Sequence, residues 1–210
     1  MKRETMLAAA GLVLGVALLV LQFSLTIPAR MATGGSLLSS VIFYFSFFTI
    51  LSNFGVVLTY VASLTSWKPL AWFSRHQTRT MFAVLILIVM LVYHFVLAGI
   101  WQPVGLFKMA DIGLHYVAPV LYLLWWVALT RIERLQFSGI NAMMLPAFIY
   151  IVYILVRGHL TGLYPYPFVD VGVLGTKQVF INALTLYLAA TVLMAVFIGI
   201  DRQLLKISQK

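Results

Sequence analysis

The stretch FYFSFFTILSNFGVVLTY, residues 43–60, is apolar enough to lie in lipid, yet its middle carries Ser46, Thr49, Ser52 and Asn53. A helix crosses the hydrocarbon of a bilayer in about 20 residues. The apolar run around this stretch, from 38 to 63, is long enough to do so. The rest of the chain has the same character. Its 210 residues are 63% hydrophobic and 9% charged, with a mean hydropathy of +1.04. Soluble domains are about a quarter charged and half apolar, so this composition reads as an integral membrane protein.

Six spans are expected, at 7–27, 38–63, 80–100, 110–129, 140–157 and 177–200. They nearly fill the chain, which predicts an all-α, six-helix bundle in a single domain over 1–210. The breaks between them are loop-like, above all GHLTGLYPYPFVDVGVLGT after the fifth span, with its Gly, Pro and Tyr. No internal repeat is visible, which counts against an inverted-repeat transporter. The first apolar run has the length of a span and no small-residue cleavage site, so it reads as a span and not as a signal peptide.

The absence of cysteine excludes disulfides, a thiolate nucleophile and Cys-ligated metal sites. The net charge of +9 lies in short loops, with no basic stripe interleaved with aromatics, so no nucleic-acid partner is expected. Lys2, Arg3, Lys68, Arg75, Arg79, Arg131, Arg134, Arg202, Lys206 and Lys210 fall on one side of the spans. Arg30, Lys108, Arg157 and Lys177 fall on the other. Cytoplasmic loops are the richer in Lys and Arg, which places both termini in the cytoplasm and the Tyr-Pro loop outside.

With that orientation the ionisable residues gather toward the outer side: His94 in span three, Asp111 and His115 in span four, and Arg157 at the end of span five. Ionisable groups in spans point to a functional site facing the bundle interior. Each also has a plainer reading. Thr49 can bond back to the carbonyl of Phe45. Ser46, Thr49, Asn53 and Val56 share one face of a continuous helix and can serve as helix–helix glue. His115 can be a core histidine, with Asp111, at i and i+4, an interfacial partner. Arg157 can snorkel to the interface. No metal site is expected, since no ligand pair has metalloenzyme spacing. No cofactor is expected either.

Three stretches together carry a resemblance: FSFFTILSN (45–53), LVYHFVLAGIWQPVGLFKMADIGLHYVAPVLYLLWW (91–126) and YILVRGHLTGLYPYPFVDVGVLG (153–175). The chain resembles a bacterial member of the six-span androgen-induced and androgen-dependent TFPI-regulating protein family. That family contains membrane threonine hydrolases that cleave fatty acid esters of hydroxy fatty acids. The resemblance implies Thr49 as the nucleophile and His115 as the second essential residue. It implies a lipid ester as substrate, a fatty acid as product, and the bacterial cytoplasmic (inner) membrane as location.

In such a reaction His115 would act as general base on Thr49, and Asp111 would orient the imidazole. Helical amides are already bonded, which leaves Asn53 and His94 as candidate oxyanion donors. Arg157 suits a substrate carboxylate or a headgroup. The expected depths conflict with this pairing. Thr49 falls roughly 16 Å and His115 roughly 8 Å below the outer surface at 1.5 Å per helical residue. Rival readings are a haem-binding electron-transfer protein using His94 and His115, a lipid carrier, and a purely structural protein.

Overall fold

The computed structural model describes residues 3–65, 67–131 and 133–208. Lys2 and Lys210, used above for orientation, lie outside the described residues. The described residues are helical, with no strand among them. The helices are α1 (Arg3–Ala32), α2 (Leu37–Tyr44), α3 (Phe48–Leu64), the short α4 (Ala71–Ser74), α5 (His76–Val92), α6 (Gly105–Ile112), α7 (Ala118–Ala128), α8 (Ile140–Thr161) and α9 (Val171–Ser208). A π-helical turn, Tyr93–Leu97, extends α5, and another, Gly113–Val117, joins α6 to α7.

Five helical stretches are long and apolar enough to cross a membrane: Arg3–Ala32, His76–Leu97, Gly105–Ala128, Phe137–Thr161 and Val171–Ile207. They overlap five of the six expected spans and are compatible with an integral, multi-pass membrane protein. The expected second span differs. It is a bent pair, α2 and α3, with 75° between the two axes. Counting that pair as one span brings the total to six.

The break at residues 45–47 has no Gly or Pro to announce it. It is made by local bonding. The Ser46 hydroxyl donates to the carbonyl of Ile42 at 2.6 Å, and Ser46 N donates to Phe43 O at 3.0 Å. Both satisfy acceptors that the end of α2 would otherwise leave bare. Phe47 is then extended (φ −83°, ψ 128°) and stands at the start of α3. Its ring packs edge-on against Phe43 with centroids 5.0 Å apart. Ser46 is therefore not on the helix that carries Thr49 and Asn53, and the shared face expected for the three does not exist.

The chain forms two compact units, Met1–Ile132 and Glu133–Lys210. In the first, α1 lies against α3 through small residues. A Cβ at Gly11 would overlap the Tyr60 ring, and one at Gly15 would come within 2.7 Å of Val57 Cγ2. Gly55 admits Phe82 of α5 in the same manner, and Gly113 admits Leu18 of α1. Where lipid replaces water, helices associate through such close packing, because burying apolar surface gains little. In the same unit, Tyr60 packs edge-on against Tyr122 and Trp125, which are tilted against each other. Thr59 Oγ1 donates to Tyr122 Oη at 3.1 Å, and Tyr122 Oη donates to Arg79 O at 3.1 Å. In the second unit α8 and α9 pair. Arg202 donates from Nε to Leu135 O at 2.8 Å and lies over the Phe137 ring. Asn182 holds the Phe168 carbonyl of the Tyr-Pro loop at 2.8 Å.

Candidate functional site

The break that ends α2 decides where Thr49 sits. Phe47 is the N-cap of α3 and Phe48 its first residue, so Thr49 is second in the helix. A continuous span would have placed it at mid-length. Thr49 is 7% exposed. The positive end of the helix dipole is at this terminus, where negative charge is stabilised.

The histidine comes from a second local irregularity. Ala118 N donates to the carbonyl of Gly113, five residues back, which defines the π-turn around His115. A further irregularity lies beside it. Pro119 has no N–H, so the carbonyl of His115 cannot receive the bond an α-helix would give it from four residues on. A π-turn takes its donor from five residues on. The extra residue widens the turn and re-aims its side chains.

These two features bring Thr49 and His115 together. Thr49 Oγ1 lies 3.1 Å from His115 Nε2, across 66 positions of sequence. His115 Nδ1 lies 2.9 Å from the main-chain carbonyl of Asp111 and 3.1 Å from Asp111 Oδ1. A carbonyl oxygen only accepts, so Nδ1 must carry the proton. In the neutral imidazole Nε2 is then a lone pair, to which the hydroxyl of Thr49 can donate. The tautomer is thus assigned by the main chain, whatever the state of the carboxyl group. The result is a linear relay from hydroxyl to imidazole to carboxylate, within the first unit. Geometrically it is the arrangement by which a hydroxyl is activated as a nucleophile.

Tyr93, which sequence reasoning passed over, completes this arrangement. Its hydroxyl donates to Asp111 Oδ2, and its ring stacks on the His115 imidazole with centroids 4.0 Å apart and planes 18° apart. Tyr116 packs edge-on against Tyr93 at 5.4 Å. The signal available in the sequence was the adjacency of Tyr93 to His94 and of Tyr116 to His115, two Tyr–His doublets on consecutive spans.

The other expected site residues separate. Asn53 donates from Nδ2 to Thr49 O at 2.8 Å and to Leu114 O at 3.2 Å. With both amide hydrogens engaged, it acts as a strap between α3 and the His115 turn and has no donor left for an oxyanion. His94 is exposed and shares a 3.1 Å hydrogen bond with Tyr116 Oη. Arg157 belongs to the second unit, where its Nη1 donates to Leu163 O at 2.7 Å across the turn that ends α8. Among the described residues no three His, Cys, Asp or Glu side chains gather where they could hold a metal ion.

Neither a protein-family model, nor a curated protein, nor a solved structure matches the chain.

Proposed function

We propose that the protein is an intramembrane ester hydrolase that uses Thr49 as nucleophile and His115 as general base. The carrying observation is the 3.1 Å contact between Thr49 Oγ1 and His115 Nε2, with the opposite ring nitrogen held on Asp111. Thr49 attacks the ester carbonyl carbon as its proton passes to Nε2. The bond to the alcohol oxygen breaks, and the leaving oxygen takes that proton from the imidazolium. An acyl-threonine and a free alcohol result. Water then gives a proton to Nε2 and attacks the acyl carbon. Thr49 leaves with the proton, and the acid is released.

The imidazolium that forms between these steps faces the Asp111 carboxylate. The oxyanion develops at the positive end of α3, where its charge is favoured. The break before α3 changes the expected depth of Thr49, which becomes the second residue of that helix. With 17 residues, α3 is about 25 Å long. It therefore nearly crosses a hydrocarbon layer of roughly 30 Å unaided.

The substrate class rests on the resemblance to the six-span threonine hydrolases: a lipid ester, such as a fatty acid ester of a hydroxy fatty acid, taken from the bilayer and released as fatty acid. The distribution of Lys and Arg supports cytoplasmic termini and an outward-facing site, in the inner membrane of a bacterium.

Labelling with a serine-hydrolase-directed fluorophosphonate, read by mass spectrometry, tests the proposal. Wild type is expected to be modified at Thr49, and His115→Ala to escape modification while remaining folded. A folded wild type that takes up no label, or takes it elsewhere, refutes the reading.

A further inference from the structure

The two π-turns meet through side-chain rings, Tyr93 with His115 and Tyr116, and His94 with Tyr116. Tyr93 opens the first turn, with its own carbonyl accepting from Ala98 N at 2.8 Å. His115 is central to the second. Tyr93 is 6% exposed. One face of its ring covers the imidazole, its edge meets Tyr116, and its hydroxyl donates to Asp111 Oδ2. A second link, between His94 Nδ1 and Tyr116 Oη, fastens the outer side of the same pair of turns.

We propose that Tyr93 is the positioning residue of this site, holding the plane of the His115 ring and the carboxylate of Asp111 at once. The physical need is specific. The Nδ1 hydrogen bond to the Asp111 carbonyl, with the carboxylate beside it, fixes the tautomer and one edge of the ring, but a ring held at one edge can still swing. A parallel aromatic face 4.0 Å away stops the swing and keeps the Nε2 lone pair on Thr49 Oγ1. The carboxylate, in turn, would turn away from the imidazole if its second oxygen had no donor. The Tyr93 hydroxyl supplies that donor. Both tasks fall to one side chain because Tyr93 stands where α5 passes into the π-turn, beside His115 and Asp111.

The inference rests on the hydrolase reading for its effect on rate and not for its effect on the ring. Two measurements separate these. The first is the ¹⁵N spectrum of histidine-labelled protein in nanodiscs, with the His115 signals assigned by their loss in His115→Gln. Wild type is expected to show a protonated Nδ1 and a bare Nε2. Tyr93→Phe is expected to keep that pattern, and Tyr93→Leu to keep the protonated Nδ1 while the Nε2 signal shifts as the ring swings off Thr49 Oγ1. The second is the rate of fluorophosphonate labelling. A ring displaced by about 1 Å loses roughly a hundredfold in rate, so Tyr93→Leu is expected to fall by that much. Removing one hydrogen bond to a charged group is expected to cost Tyr93→Phe roughly tenfold. In an Asp111→Ala background, Tyr93→Phe is expected to have no further effect, since the hydroxyl acts through that carboxylate. An unchanged ring spectrum in Tyr93→Leu overturns the proposal, as does a Tyr93→Phe effect that persists without Asp111. If wild type does not label at all, the hydrolase reading fails and the ¹⁵N result still decides the role of Tyr93.

Discussion

Replacing Thr49 with valine keeps a β-branched side chain of nearly the same shape and removes one oxygen. That oxygen lies 3.1 Å from Nε2 of a histidine whose side chain is 14% exposed, and donates to it when the imidazole is neutral. Its loss leaves a mostly buried acceptor without this partner, which costs about 1 kcal/mol. For a chain of this length that is a fall in Tm of about 2–4 °C. The effect on chemistry is of another order. Without the nucleophile, ester hydrolysis is expected to fall by about 10⁴-fold or more. Thr49→Ser keeps the hydroxyl but frees its rotation, since serine lacks the second Cβ substituent that makes threonine stiff. It is expected to retain activity within about tenfold of wild type, because a looser hydroxyl is still within reach of the base. The assay is hydrolysis of a lipid ester by protein in nanodiscs, run beside a thermal melt of each variant. A Thr49→Val protein that still hydrolyses the ester refutes the reasoning. So does one that loses activity together with many degrees of Tm, because Thr49 would then be a packing residue.

Other substitutions probe the elements that build the site. Pro119→Ala restores an N–H that can bond the His115 carbonyl in an α-helical register; labelling at Thr49 is expected to drop severalfold with Tm unchanged or raised, and an unchanged labelling rate would contradict the link between Pro119 and the π-turn. Asn53→Leu removes the strap from Thr49 O and Leu114 O and is expected to cost about 1–3 kcal/mol in a thermal or denaturant melt. Gly15→Leu forces a side chain onto Val57, and a loss of about 1–3 kcal/mol or more is expected from overpacking, whereas an unaffected melt would deny the close approach of α1 and α3. Because the chain has no cysteine, topology can be read from single introduced ones. In intact cells a membrane-impermeant maleimide is expected to label Thr33→Cys and to spare Gln136→Cys.

The sequence made the number and rough position of the apolar helices legible, because 20-residue hydrophobic runs interrupted by charged loops have few other readings. The resemblance singled out Thr49 and His115, whereas Asp111 came from its i, i+4 spacing to His115. Two backbone irregularities were not legible. The bend at 45–47 rests on a serine hydroxyl and packed aromatics in FYFSFF, which read as continuous span. The π-turns at 93–97 and 113–117 differ from α-helix by one residue in hydrogen-bond register, and hydropathy is blind to that. Pro119 was a usable clue, since a proline inside a span leaves one carbonyl to be satisfied in some other way. The depth conflict between Thr49 and His115 was itself a trace of the bend: a straight second span could not bring the pair level. The roles of Asn53 and Tyr93 depend on where donors point across helices, and no spacing rule encodes that.

The carbonyl of Asp111 has a consequence for descent. A main-chain oxygen is present whatever residue a mutation installs, so the tautomer of His115 does not depend on the side chain at position 111. Replacement of the acid would slow the reaction without erasing the base. What drift cannot touch without erasing it is the helical defect at 113–117, since that defect carries the ring. Kinship among chains of this type would therefore be written more durably in a proline four residues after a histidine than in the acid that precedes it.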